Sequence, residues 1–461
     1  VGLVVAAAVL PLFKLVVVDR IQTPFRHPDL EDNRTLPGIE HPVDKSYADG
    51  LTLIGYDQWT GRQSGKLPAD QALRVDLYWT VCHPPSHRYQ TVVHLKGPDG
   101  LRWSPKDSFR PTDYQGAPPT TAWEPGRYAI DSHEVEPLPG TPSGEYDVVL
   151  TVFDRDTLSP LSVLNEDGQP AAPDFVLGQV TLTPPSHQPE VGALDMQHRL
   201  DERLGAVTLL GANVSRDEAV PGDPILITTF WRAEEQPRTA VTLHIKLLDH
   251  DDSIAAAYTL PPVASWHPAT AWRSGDVFRG QHLLHLPAGL STDRYAWSLS
   301  LSSSRAVSLS RLSVTAPQRT FTLPPVTIET STRLGDMATL VGADVTPETL
   351  SVKRGADLEV LLVWRAESET HTSYRVFLHL IDPEGNLVAQ SDGIPDDWTR
   401  PTTGWVPGEV ITDPRSLTVP EGAQPGDYRL VAGLYDPAGE RLTDSDGDSA
   451  VPVAPVTVEA P

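Results

Sequence analysis

The chain has 461 residues, and at roughly 150 residues per domain that length suggests about three domains. Its formal charge of −25 argues against nucleic acid and anionic membrane surfaces as partners, since both repel a polyanion. With 45 prolines and one cysteine it disfavours long helices and excludes an internal disulfide framework and cysteine-based metal or redox motifs.

Taken in chain order, residues 1–20 form an apolar segment, with Val1 to Val18 broken only by Pro11 and Lys14. Eighteen residues fall slightly short of the ~20 that a bilayer core needs, and Lys14 lies where its amine can snorkel to the interface. A signal peptide would open with a basic region and end at a small-residue cleavage site, and neither stands here. The reading is a membrane or packing helix, with a buried Val-rich strand as the alternative. Residues 21–43, punctuated by Pro24, Pro28, Pro37 and Pro42, read as an extended tether.

Three copies of one pattern follow. The first runs LTLIGYD (Leu51–Asp57), LRVDLYW ending at Trp79, a strand around His94, TAWEPG around Trp123 and GEYDVVLTVFD around Tyr146. The second has VTLLGAN (Val207–Asn213), Trp231, His244, Trp272 and Tyr295, and the third ATLVGAD (Ala338–Asp344), Trp364, His379, Trp405 and Tyr428. First Trp to His spans 15, 13 and 15 residues, His to second Trp 29, 28 and 26, and second Trp to Tyr 23 each time. Such agreement predicts one fold used three times: domains over 44–184, 198–326 and 327–461, with a linker at 185–197. Period-two alternation, as in Leu73-Arg74-Val75-Asp76-Leu77, and recurrent Pro-Gly and Asp-Gly turns make the units β. The fold class is therefore all-β: three tandem homologous β-sandwiches, Ig-like or jelly-roll-like, after an N-terminal apolar helix.

The repeated residues read mostly as structure. One His per copy, at His94, His244 and His379, is too few for a metal site, and a partner at Asp131 or Asp413 has only Gly280 as its counterpart in the second copy. The repeated tryptophans read as core plugs, with Trp123, Trp272 and Trp405 mostly buried, each near its copy's His-bearing strand. The loop before each second Trp carries another aromatic, Tyr114, Trp266 or Trp398, and these three are the candidates for stacking on a sugar face. Asp444, Asp446 and Asp448 resemble half of a calcium loop without its twelve-residue register or terminal Glu, so they are a weak metal candidate. No cofactor and no catalytic residue is expected.

The segment HPVDKSYADGLTLIGYD (His41–Asp57), with LRVDLYW and TAWEPG downstream, resembles the extracytoplasmic C-terminal region of bacterial lipid-carrier-dependent membrane glycosyltransferases, relatives of the protein mannosyltransferases. In that family a last membrane helix leads through a short tether into sandwich domains, and Val1–Val18 looks like that helix. The family's catalytic part is a multi-helix membrane domain, and no part of it matches here, so no catalytic residue carries over. The resemblance implies a non-catalytic, membrane-anchored module on the extracytoplasmic face of the cell envelope, positioning or binding an envelope glycan or acceptor. It is compatible with the tail of a longer enzyme and with a stand-alone protein. The alternative is a structural subunit of an extracellular filament or surface layer, self-associating through residues 1–20.

Overall fold

The structure, a computed structural model, describes residues 30, 35–60, 65–105, 119–166, 168–302 and 304–459. The apolar segment 1–20 and Tyr114 lie outside these residues. The described residues are all-β: strands, short 3-10 turns and no α-helix. No helix among them is long and apolar enough to cross a membrane. The chain divides into two compact units, Val1–Pro189 and Glu190–Pro461.

In the first unit the strands are β1 (His41–Ser46), β2 (Leu51–Trp59), β3 (Lys66–Pro68), β4 (Leu73–Val81), β5 (Tyr89–Lys96), β6 (Tyr128–Val135), β7 (Gly144–Asp154), β8 (Pro160–Leu161) and β9 (Asp174–Thr183). One sheet has the order β1-β2-β4-β6 and the other β3-β9-β7-β5, with β8 added to β7. The second unit holds two sheet pairs. The first is built from β10 (His198–Leu204), β11 (Val207–Val214), β12 (Glu218–Ala219), β13 (Pro224–Ala233), β14 (Leu243–Leu248), β15 (Ile254–Leu260), β16 (Val277–His285), β17 (Asp293–Leu301) and β18 (Val307–Val314). The second comprises β19 (Ile328–Leu334), β20 (Ala338–Thr346), β21 (Ser351–Val352), β22 (Asp357–Ala366), β23 (Arg375–Ile381), β24 (Leu387–Gly393), β25 (Val410–Thr418), β26 (Gly426–Tyr435) and β27 (Val451–Val458). Their sheets are ordered β10-β11-β13-β16 with β12-β18-β17-β14-β15, and β19-β20-β22-β25 with β21-β27-β26-β23-β24. All three sheet pairs thus repeat one topology. A counterpart of β15 and β24 is not among the described residues of the first unit.

Alternation sends one face of each strand into a shared core. Trp364 and Ile411 of one sheet meet Leu378, Tyr428 and Val456 of the other, and Trp231 and Phe278 meet Ile245, Trp297 and Leu312. The repeated tyrosines are buried, and each hydroxyl donates to the carbonyl four residues upstream: Tyr146 to Pro142 at 2.8 Å, Tyr295 to Ser291 at 3.1 Å and Tyr428 to Gln424 at 2.8 Å. This corner satisfies a buried phenol and fixes where β7, β17 and β26 begin.

The repeated Gly-x-Asp/Asn motif has a packing reason. A Cβ on Gly55, Gly211 or Gly342 would run into the carbonyl oxygen of His41, His198 or Ile328, so only glycine lets the preceding strand close in. Two residues on, Asp57, Asn213 and Asp344 accept the backbone N–H of Glu40, Gln197 and Thr327, each at 2.7 Å. The chain entering each sheet pair is thereby pinned.

The same packing reaches residues read as tether and linker. Leu36 is buried against Ile54 and Tyr78, with Leu30 and Ile39 packed beside it. Leu194 is buried against Leu210, Phe230 and Val277. The ends of 21–43 and 185–197 are therefore docked on the outer face of the sheet they precede.

Candidate functional site

Of the two sequence-chosen aromatics among the described residues, Trp398 is the exposed one, at 57%. It ends a run of three non-glycine residues in the left-handed region, Asp396 (φ 54°), Asp397 (φ 49°) and Trp398 (φ 68°). Each such residue costs about 1–3 kcal/mol, and the conformation persists only where its surroundings impose it. Here they do. Trp398 N–H donates to Ile394 O (3.1 Å), Thr399 N–H to Asp396 O (3.1 Å) and Arg400 N–H to Pro395 O (3.0 Å).

Beneath the turn lies a buried ion pair on β25. Arg415 Nε sits 3.0 Å from Asp413 Oδ2, and both side chains are almost fully buried. Asp413 Oδ1 accepts Asp396 N–H at 2.8 Å, and Arg415 donates to the carbonyls of Gly393 (3.0 Å) and Ile394 (3.2 Å). The indole lies on Gly393, where a Cβ would stand 3.1 Å from its ring atoms. The Arg375 guanidinium stands 5.8 Å from the ring centroid. Burial and the Asp392 carboxylate push the neighbouring Tyr435 phenol up, and Arg375 opposes the shift. The result is an exposed indole held on a rigid mount, with cationic, anionic and phenolic groups on the adjoining strands.

The other two candidates are placed differently. Trp266 is half-buried against the core of its own sheet pair, so it offers no comparable face. Tyr114 falls outside the described residues. Asp444, Asp446 and Asp448 form an Asx turn: Asp444 Oδ1 accepts the N–H groups of Asp446 and Asp448, both at 2.9 Å. Among the described residues no group of three or more His, Cys, Asp or Glu is placed to hold a metal ion. The strand histidines are half-buried or buried as expected, and His379 meets Asp392 at 3.2 Å. Asp131 pairs instead with His133 (2.7 Å) and Thr91 (2.5 Å), inside the core. Burial pushes the Asp131 carboxyl up, against the pull of His133, Thr91 and Trp79.

Trp272 and Trp405 are fully buried, and Trp123 is half-buried, less enclosed than its two counterparts. The reason lies in the register. Trp231 faces Phe278 across the sheet and Trp364 faces Ile411, whereas Trp79 faces Ala129. Phe278 packs 4.9 Å from the Trp272 ring, and Ala129 gives Trp123 no such surface.

No family model matches the chain, and no curated protein matches it. Among solved structures it is similar to a DUF4785 family protein from Legionella pneumophila, at 10% identity, covering 94% of this chain and 98% of that one. The TM-score is 0.17, too low to carry any argument about fold or function.

Proposed function

We propose that the chain is a non-catalytic glycan-binding module of a cell-envelope protein, made of three tandem homologous sandwich domains held at the extracytoplasmic face through residues 1–20. On this reading it serves as the accessory region of a lipid-carrier-dependent glycosyltransferase, holding an envelope glycan or acceptor. The observation that carries the reading is the exposed Trp398 on its strained, ion-pair-anchored turn. The run of three left-handed residues that holds this ring outward costs strain, and that cost fits a residue kept for contact with a partner. A pyranose offers the complementary face, with C–H groups against the indole and hydroxyls directed at Arg375 and Asp392.

Binding of the full chain in mild detergent to an immobilised panel of bacterial envelope polysaccharides tests it. Trp398→Ala should reduce the retained signal at least tenfold, and Arg375→Ala less. Glycan retention that Trp398→Ala leaves unchanged would place binding elsewhere. Retention of no glycan by the parent chain would sink the reading.

A further inference from the structure

The place left by Ala129 in the first unit is a cavity of about 310 Å3, with Trp79, Val81, Ala122, Trp123, Arg127 and Ala129 among its walls. Ala129 is half-buried, whereas Phe278 and Ile411, its register counterparts, are buried at 6% and 2%. The rim is polar. Arg127 and Glu124 stand 3.6 Å apart with both side chains largely in water, and Thr80 Oγ1 holds the turn by donating to Arg127 O at 2.9 Å. The volume lies at the small end of ligand pockets, and the open lining combines apolar and polar surface in similar shares, with Thr80, Glu124 and Tyr128 also contributing.

We propose that this cavity binds a small monocyclic aromatic molecule bearing one polar substituent. The second sheet pair shows what the walls fit: the Phe278 ring occupies the corresponding position against Trp231 and Trp272. A ring-sized space beside two indoles, with polar groups at its mouth, suits an aromatic molecule that carries a polar substituent. The substituent then faces the rim, where Arg127 donates to an oxygen and Glu124 accepts from a hydroxyl. This inference does not rest on the reading of the Trp398 turn.

The test uses the full chain in mild detergent, labelled with 5-fluorotryptophan and carrying Trp398→Ala, so that the turn contributes nothing. Phenol, 4-hydroxybenzoate and a methyl pyranoside are titrated in turn while the fluorine resonances of Trp79 and Trp123 are followed, each assigned by Trp→Phe replacement. The expected result is a saturable shift of both resonances with the two aromatic probes. Ala129→Phe should weaken that binding at least tenfold, because it supplies the ring that the second repeat already carries. Ala129→Ile, the residue type of the third repeat, is the alternative if the Phe variant does not fold. Three results would each overturn the assignment: no shift with either aromatic, a shift unchanged by filling position 129, or a response to the pyranoside alone.

Discussion

Replacing Glu409 with Ala weakens one link between the two sheet pairs of the second unit, which the His285–His371 ring contact also joins. Its carboxylate is fully buried, paired with both Arg319 and Arg400, and accepts Val406 N–H at 3.1 Å. Arg319 comes from the segment joining the sheet pairs and also donates to Ala288 O on one side and Gly404 O on the other. Breaking a buried pair leaves the partner charges desolvated without compensation and costs about 3–5 kcal/mol. Arg319 and Arg400 are only 15% and 16% exposed, so water restores little of that loss. For a unit of this size the thermal midpoint should fall by roughly 10 °C. The two sheet pairs should also cease to melt together, and calorimetry would then resolve two transitions where the parent unit shows one. Glu409→Gln keeps an acceptor and should fall between parent and Ala variant. A Glu409→Ala protein that melts in one transition at the parental temperature would refute the coupling.

Four further outcomes are expected. Asp413→Ala leaves Arg415 buried without its partner and frees Asp396 N–H, so it should cost about 3–5 kcal/mol by denaturant titration and weaken glycan retention along with stability. Trp405→Ala should cost about 3–5 kcal/mol and Trp123→Ala distinctly less, since only the first ring is fully enclosed. His94 is pushed down to about 4 by burial and by the Arg102 charge, and His282 to about 4 by burial. Both histidines are neutral in the folded state, so their contribution is complete above pH 6.5 and is lost as pH falls towards 4. That loss is about 3 kcal/mol each, to be read from denaturant midpoints against pH in the parent and in His94→Phe. Finally, a chain starting at Leu30, which keeps the docked Leu36, should be soluble and monomeric by light scattering, whereas the full chain associates with detergent or with itself.

The repeat was legible because its markers are buried, and buried positions tolerate little change in spacing. Trp79, Trp231 and Trp364 are at most 1% exposed, and Tyr146, Tyr295 and Tyr428 at most 3%. What escaped was set by cross-strand register. Six residues after Trp123 stands Ala129 where the other repeats have Phe278 and Ile411, but that this residue covers the indole depends on which strands pair. The mount of Trp398 was hidden for the same reason: Asp413 and Arg415 reach it from another strand, and a run of left-handed residues has no marker when glycine is absent. The docked Leu36 and Leu194 were masked by the prolines around them, which read as spacer composition.

The short strands β3, β12 and β21 pair in parallel with the last strand of their own sheet pair, Leu67 with Leu182, Ala219 with Val314 and Val352 with Val458. A chain that leaves the ribosome or a translocation pore N-terminus first therefore holds each early strand unpaired until the whole repeat has emerged. Long-range closures of this kind are slow, and they leave sheet edges open to neighbouring chains meanwhile. The repeats must close in order, each needing its own final strand and none needing the next. Nascent chains stopped before Asp174 should accordingly be degraded by added protease, while those extended beyond Thr183 should resist it over their first repeat.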